Sequence, residues 1–348
     1  MKCKFYLLVL LIFSSCFYSC LVDIPEEINW NTDNYEPNVI TSSSNHLGFP
    51  DLIYHKGTWF VTYRESDGHV GTFSKIKVLK SNDFKKWEEC NTFELSGWDL
   101  RDPKFSYDDL KDSLYLHVYA TDKKVPSNYY FRFDNLLKSF DMDREQLLKI
   151  NLPENVTSYW LWDHIWYKGD LYVAGYRTDN VRFYKFYSLN DTPQLFAFIR
   201  GNGVTEAKLQ FYNGSLYALI RRWNDALLGE VILPVNNLDI SATINDESSF
   251  YWTEKFSQLK ALGGPNMVIA DSVFYIGGRV LDENNNPRTS LYQYSLKDRD
   301  LKHLETFISY GDNSYPGMVL RENTIYGCYY TLAPDYQGYQ IRSFIRPI

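Results

Sequence analysis

The sequence has few of the residues that build metal clusters, disulfide frameworks and basic surfaces. It contains five scattered cysteines and six histidines in 348 residues, and its 36 lysines and arginines are outnumbered by 43 aspartates and glutamates. An apolar run near the start, Phe5 to Phe13, is shorter than the roughly 20 residues that a spanning helix needs. We therefore expect no cysteine-rich zinc site and no overall basic field for nucleic acid.

The residues that are present favour a folded β protein. Hydrophobic residues make up 45% of the chain and charged residues only 23%, which is too apolar for a disordered protein. The chain has 29 Tyr, 22 Phe and 9 Trp, and its 19 Gly and 13 Pro are spread along its length. Aromatic residues divided by frequent turn residues are typical of many short strands, so we expect the all-β class.

The N-terminus has the order of a secretory signal. Lysines precede the apolar run, and two serines lead to Cys16. Small residues directly before a cysteine resemble the bacterial lipoprotein signal, in which that cysteine is lipidated, and Cys16 fits better than Cys20. We predict a signal and lipidation region over residues 1–22, with an ordinary cleaved signal as the alternative. The protein is thus expected to be exported to the cell envelope and to touch the membrane only through a lipid anchor.

An internal repeat fills residues 46–348, after a polar stretch (23–45) that we interpret as a tether. Each copy has a short apolar strand, a tight turn and a second strand rich in aromatic residues, as in Phe49–Arg64. Six copies begin at residues 49, 102, 163, 206, 264 and 315. Their spacing accommodates a four-stranded sheet, and six such sheets around an axis form a six-bladed β-propeller. Residues 340–345 are expected to close the ring by pairing with the first blade.

The repeat also predicts where polar side chains meet. In an antiparallel hairpin the first strand begins on the side where the second strand ends, so these positions ring one mouth of the channel. The residues at these positions are Asp51, Arg101, Asp102, Asp163, Glu206 and Tyr315 at strand starts, and Arg64, Arg177, Arg221, Arg222 and Arg279 at strand ends. Arginines in such a ring predict a site for an acidic sugar, because guanidinium groups bind carboxylates through paired hydrogen bonds. The alternative is that they pair with neighbouring carboxylates and only stabilise strand ends.

Several segments resemble the six-bladed sialidase (neuraminidase) superfamily, and most closely its bacterial sialidase-like lipoproteins with Asp-box (BNR) repeats. The segment Ser81-Asn-Asp-Phe-Lys-Lys-Trp87 resembles a shortened Asp-box, a structural turn between outer strands of a blade. Trp98–Lys104, Leu161–Gly169 and Asp312–Gly317 are similar to blocks that recur in these relatives. The resemblance implies a retaining, exo-acting glycoside hydrolase that works on a terminal sugar of a glycan without a cofactor.

The resemblance also implies roles for individual residues. Tyr315 matches the nucleophile and Glu206 the glutamate that activates it. Arg279 and Arg222, or its neighbour Arg221, match arginines that hold the substrate carboxylate.

The first blade matches the family less closely. Asp67 matches the acid/base aspartate, with His69 or Glu65 as alternatives for proton transfer. Sialidases open this blade with Arg-Ile-Pro, whereas this chain has Gly48-Phe-Pro. The first clamp arginine is therefore missing, and Arg64 or Arg101 is a possible substitute.

Two other functions fit the same residues. Asp51, Asp102 and Glu206 resemble the three carboxylates of five-bladed glycosidases, in which each carboxylate comes from a different blade. A propeller can also bind a glycan without reacting, since a fold alone does not establish chemistry. In each case we expect a monomer with a carbohydrate ligand, no metal and no nucleic acid.

Overall fold

The computed structural model describes residues 37–71, 73–121, 126–133, 148–149, 159–189, 191–233 and 249–348. The predicted signal and lipidation region, with Cys16 and Cys20, lies outside these residues, as does most of the predicted tether. Within the described part of the chain, no helix is long and apolar enough to cross a bilayer.

The described strands form six four-stranded antiparallel sheets. The first sheet contains β2 (His46–His55), β3 (Thr58–Ser66), β4 (Ser74–Ser81) and β5 (Glu88–Glu94). The second contains β6 (Asp99–Asp108), β7 (Ser113–Thr121), β8 (Pro126–Phe133) and β9 (Leu148–Lys149). The third contains β10 (Trp160–Tyr167), β11 (Asp170–Arg177), β12 (Asn180–Phe186) and β13 (Gln194–Arg200).

The remaining three sheets follow the same order. The fourth contains β14 (Ala207–Tyr212), β15 (Ser215–Arg221), β16 (Ala226–Val231) and β17 (Phe250–Phe256). The fifth contains β18 (Gly263–Ala270), β19 (Val273–Leu281), β20 (Pro287–Ser295) and β21 (Asp300–Phe307). The sixth contains β22 (Ser314–Arg321), β23 (Thr324–Leu332) and β24 (Tyr339–Pro347), together with β1 (Asn38–Ser43).

The sheets are arranged as a propeller. Each predicted hairpin forms the first two strands of one sheet, and the first strands of successive sheets contact one another in cyclic order, with β22 contacting β2. Apolar side chains fill the space between neighbouring sheets; Phe183 and Phe196 of the third sheet, for example, pack in one buried cluster with Leu209 and Ile220 of the fourth. Burial of such a side chain contributes about 1.5–3 kcal/mol. The all-β propeller expectation is confirmed.

The ring closes differently from our expectation. The N-terminal strand β1 pairs with β24, with Asn38 opposite Ser343 and Ser43 opposite Tyr339, so the sixth sheet has the order β1-β24-β23-β22. The end of the predicted tether is therefore a strand, and the last strand does not pair with the first sheet. Because β1 lies at a sheet edge and its residues are exposed or half-buried, its sequence has little of the apolar alternation that marks a buried strand.

Candidate active site

The candidate active site is built on a local distortion that four first strands share. Phe49, Asp102, Gly264 and Tyr315 have positive φ angles of 56°, 46°, 59° and 51°, and each precedes a proline. The strand register shifts at each position. Proline has no N–H for the ladder, so a bulge is tolerated there, and a bulge changes the direction of its side chains. This distortion takes Asp102 and Tyr315 out of regular strand alternation.

A tyrosine, a glutamate and an arginine meet at this site. The Tyr315 hydroxyl donates a hydrogen bond of 2.7 Å to Glu206 Oε1, and Arg221 Nη1 donates one of 3.0 Å to the same oxygen. The other oxygen, Oε2, accepts a 2.8 Å bond from the backbone N–H of Gly264. Tyr315 and Glu206 are 6% and 5% exposed. Three donors thus fix both oxygens of one buried carboxylate.

The surroundings keep Tyr315 protonated at rest. Burial, followed by the negative charge of Glu206, raises the pKa of the Tyr315 phenol well above its usual value. The charge of the same glutamate raises the pKa of Arg221. Tyr315 is therefore a neutral phenol whose proton points at a carboxylate acceptor.

A second arginine lies beside the tyrosine ring. The Arg279 guanidinium carbon is 5.6 Å from the centroid of the Tyr315 ring, and its Nη1 donates to Asp312 Oδ1 at 3.3 Å. Burial lowers the pKa of Arg279, but the neighbouring Tyr315, Tyr330 and Asp312 outweigh burial and raise it. Arg279 thus places a permanent positive charge next to the Tyr315 ring.

Asp102 is a buried carboxyl group in the same electrostatic environment. It is 3% exposed, and its Oδ1 atom has no hydrogen-bond partner among the described residues. Burial, together with the negative charge of Glu206, raises its pKa to about 6 against the charges of Arg101 and Lys104. A carboxyl group with this pKa holds a proton in mildly acidic solution and can donate it.

The fold resembles those of solved sialidases. A Trypanosoma rangeli sialidase in complex with 2,3-difluoro-KDN has a TM-score of 0.58 at 12% identity, with 86% of this chain and 53% of that chain covered. For the same sialidase with sialic acid the TM-score is 0.56 at 11% identity, with 87% and 54% covered. Phage phi92 endosialidase has a TM-score of 0.66 at 10% identity, with 90% and 69% covered.

This chain has a sialidase-like propeller fold. At identities this low the likeness concerns the fold alone, and the chain spans about half the length of the Trypanosoma sialidase chains. No protein-family model matches the chain, and neither does any curated protein sequence.

In this sialidase-like propeller, most of the predicted arginines are bound to carboxylates. Arg64 is fully buried and donates to Asp99 Oδ1 through Nε at 2.9 Å and Nη2 at 2.7 Å, so it is a structural residue and not a substitute for the missing clamp arginine. Arg222 forms a two-point ion pair with Asp225, three residues on. The structure therefore brings Arg221, and not Arg222, to Glu206.

Arg101 differs from these arginines. Its guanidinium carbon lies 5.4 Å from the Phe49 ring centroid and 5.1 Å from that of Trp160, and its Nη2 donates to the His69 carbonyl at 3.3 Å. No carboxylate accepts a hydrogen bond from it within the described residues. Arg101 is therefore better placed to accept a new anionic partner than the arginines that are bound to carboxylates.

Two predicted carboxylates tie neighbouring sheets together. Asp51 Oδ2 accepts the backbone N–H of Phe105 at 2.8 Å, and Asp163 Oδ2 accepts that of Leu209 at 2.7 Å. In each case a first strand bonds the first strand of the next sheet. Asp51 thus has a structural partner, and the six sheets argue against the five-bladed arrangement of the carboxylates.

The end of β3 and the loop after it hold the residues predicted for proton transfer. Asp67 is exposed. Its side chain and the Arg64 guanidinium lie on either side of Gly71: a Cβ added to that glycine would be 2.5 Å from Asp67 Oδ1 and 2.8 Å from Arg64 Nη2. His69 Nδ1 bonds Asp312 Oδ2 at 2.9 Å. Glu65 instead accepts from Ser43 and Asn45, which lie at the end of β1 and just after it.

Three features of the site were missed by the sequence reasoning. Tyr176 is half-buried, and burial followed by the charges of Glu206 and Asp102 raises its pKa well above the usual value. Its only signal was its position next to Arg177 at a strand end. The partners of Asp312 and the close packing of Gly264 against Tyr315 join residues from different sheets, which local patterns do not reveal.

Proposed function

We propose that this protein is a retaining glycoside hydrolase that releases a terminal, acidic sugar from a glycan at the mouth of a six-bladed ring. The observation that carries the proposal is the buried 2.7 Å hydrogen bond from the Tyr315 hydroxyl to Glu206 Oε1. A tyrosine that only filled space would not need a buried carboxylate as its acceptor, because a buried charge costs free energy unless it is compensated. The sialidase-like fold agrees with this use of the pair.

The reaction begins when Tyr315 transfers its proton to Glu206 as its oxygen attacks the anomeric carbon. The bond from that carbon to the leaving oxygen breaks, and an acid gives the leaving oxygen a proton. Water then attacks the same carbon, gives a proton to the deprotonated acid and releases Tyr315, which recovers its proton from Glu206. Two displacements give net retention. A neutral phenol suits a sugar with a carboxylate at this carbon, because an anionic nucleophile would be repelled.

We assign the acid to Asp102, in place of Asp67 from the resemblance. Burial keeps the proton on Asp102 up to about pH 6, and its unpartnered Oδ1 leaves room for a hydrogen bond to substrate. Asp67 is instead exposed to solvent and lies beside Arg64. Loss of activity in Asp67→Asn, with Asp102→Asn active, would reverse this assignment.

Three arginines are available for the substrate carboxylate. Arg221 and Arg279 lie next to the tyrosine but already bond Glu206 and Asp312. Arg101 bonds no carboxylate among the described residues, so we assign it the first contact with the ligand. Export and lipidation at Cys16 stay predictions, because that region lies outside the described residues.

The test is a screen in which purified protein is incubated with glycans and the released sugar is identified by its mass. We expect Tyr315→Phe and Glu206→Gln each to abolish release while circular dichroism stays unchanged. Tyr336→Phe, at an exposed tyrosine, is the matched control and keeps full activity. Release by both site variants at the unsubstituted rate would remove the tyrosine mechanism, whereas glycan binding without release in every form would identify a binding module.

A further inference from the structure

Three side chains from distant parts of the chain converge beside the candidate active site. His46 starts β2, His69 follows β3, and Asp312 precedes β22. Asp312 Oδ2 lies 3.2 Å from His46 Nε2 and 2.9 Å from His69 Nδ1, and the three atoms are all within 4.8 Å of one another. We name these residues the His-His-Asp cluster.

The donor atoms suit a transition metal. Two imidazole nitrogens and one carboxylate oxygen are the ligands of three-residue zinc sites and of 2-His-1-carboxylate sites. Donors about 2.1 Å from a tetrahedral ion stand about 3.4 Å from one another, which is close to the two spacings to Asp312 Oδ2. Without a cation, Asp312 Oδ2 would accept hydrogen bonds from both imidazoles.

The surrounding residues hold two of the donors in place. His46 is 4% exposed, and its ring centroid lies 4.6 Å from that of Tyr339. Asp312 Oδ1 accepts the Tyr330 hydroxyl at 2.8 Å and Arg279 Nη1 at 3.3 Å, which leaves Oδ2 for the cluster. Such outer partners orient metal ligands. The third donor, His69, is 47% exposed, so an ion can enter from solvent and keep an open position.

We propose that the His-His-Asp cluster binds one divalent transition-metal ion, with Zn²⁺ as the first choice. The ion would border the candidate active site, since the His69 ring lies 5.3 Å from the Phe49 ring, which lies 5.0 Å from that of Tyr315. The site does not depend on the proposed hydrolase, because metal binding is measured directly. Its failure and that of the hydrolase are therefore separate results.

The test is calorimetric titration of chelator-treated full-length protein with Zn²⁺, with the visible absorption of bound Co²⁺ as a second readout. We expect one ion per chain and a higher melting temperature with Zn²⁺. His69→Ala removes an exposed ligand, so the fold should survive. Loss of an outer-shell partner lowers metal affinity by roughly 10- to 100-fold. Because His69 is a direct ligand in this proposal, the Zn²⁺ affinity of His69→Ala should fall by more than that. His303→Ala, at an exposed histidine of β21, is the matched control and binds as before.

Several results would overturn the proposal. One is the absence of saturable Zn²⁺ binding, and another is equal Zn²⁺ binding by the unsubstituted protein and His69→Ala. A third is a preference for Mg²⁺ over Zn²⁺, because Mg²⁺ prefers sites built from oxygen ligands. Asp312→Asn should also lose the ion. If that variant is too unstable to purify, the comparison of His69→Ala with His303→Ala still decides the question.

Discussion

Replacing Asp102 with asparagine should make the folded protein more stable at neutral pH and at the same time remove its activity. Asn has nearly the same shape as a protonated aspartic acid but never carries a charge. In the native protein burial raises the pKa of Asp102 to about 6, whereas the ordinary value is 3.8. The folded chain therefore holds this proton over a pH range in which the unfolded chain has lost it.

The sign and size of the effect follow from this difference. Between pH 3.8 and about 6 the folded state binds more protons, so the free energy of unfolding falls as pH rises through this window. Above pH 6 the loss is complete, and a difference of this size corresponds to about 3 kcal/mol. Asp102→Asn carries no such cost, so at about pH 8 it should be up to about 3 kcal/mol more stable than the unsubstituted protein.

Urea unfolding of both proteins at about pH 4 and about pH 8 measures this difference. The stability gain should be present at the higher pH and nearly absent at the lower one, while Asp109→Asn, at an exposed aspartate, gives no gain at either. Sugar release should fall by about 100- to 10,000-fold if Asp102 is the general acid. A stability difference that does not change between the two pH values would refute the assignment of a raised pKa to this carboxyl.

Two further substitutions test the packing that positions the site. A Cβ on Gly264 would lie 2.4 Å from Tyr315 Cγ and 2.6 Å from its Cα, so Gly264→Ala should unfold at lower temperature and lose sugar release. Gly57 also has a positive φ, 87° against 59° for Gly264, but a Cβ there would have no neighbour within 4 Å; equal losses in Gly57→Ala and Gly264→Ala would contradict this steric argument. Asp99→Asn should cost about 3–5 kcal/mol in urea unfolding, because it leaves the Arg64 charge buried and unpaired. Asp300→Asn breaks an exposed ion pair with Lys302 and should lower the free energy of unfolding by less than about 1 kcal/mol. A loss equally small in Asp99→Asn would show that the buried Arg64–Asp99 pair is not needed for stability.

The strands that line the centre could be predicted from the sequence because each carries its own signal. A hairpin such as Phe49–Arg64 combines apolar strands with a turn in a short segment, and the six repeats support one another. The strand Asn38–Ser43 carries no such signal, because it lies at a sheet edge and pairs with residues about 300 positions away. Local patterns do not encode that partner.

Within the site, residue types were easier to predict than their partners. Glu206 and Tyr315 stand at equivalent strand starts, and they do meet. The choice between Arg221 and Arg222 depends on strand alternation at the end of β15, where a one-residue change reverses the direction of the side chain. His46 and Asp312 are 266 residues apart, so only the closed ring brings them together.

The first blade links the two proposals. The resemblance places Gly48 where sialidases have an arginine, and a Cβ on Gly48 would lie 2.7 Å from Cε1 of His46. The His46 ring thus occupies the space that a larger residue would need, and it bonds the carboxylate of Asp312, so negative charge stands near the expected clamp. A ligand carboxylate at Arg279 would be repelled by Asp312, whereas a divalent cation in the cluster would reverse that charge. If both proposals hold, chelating the ion should weaken the binding of an acidic sugar at Arg279.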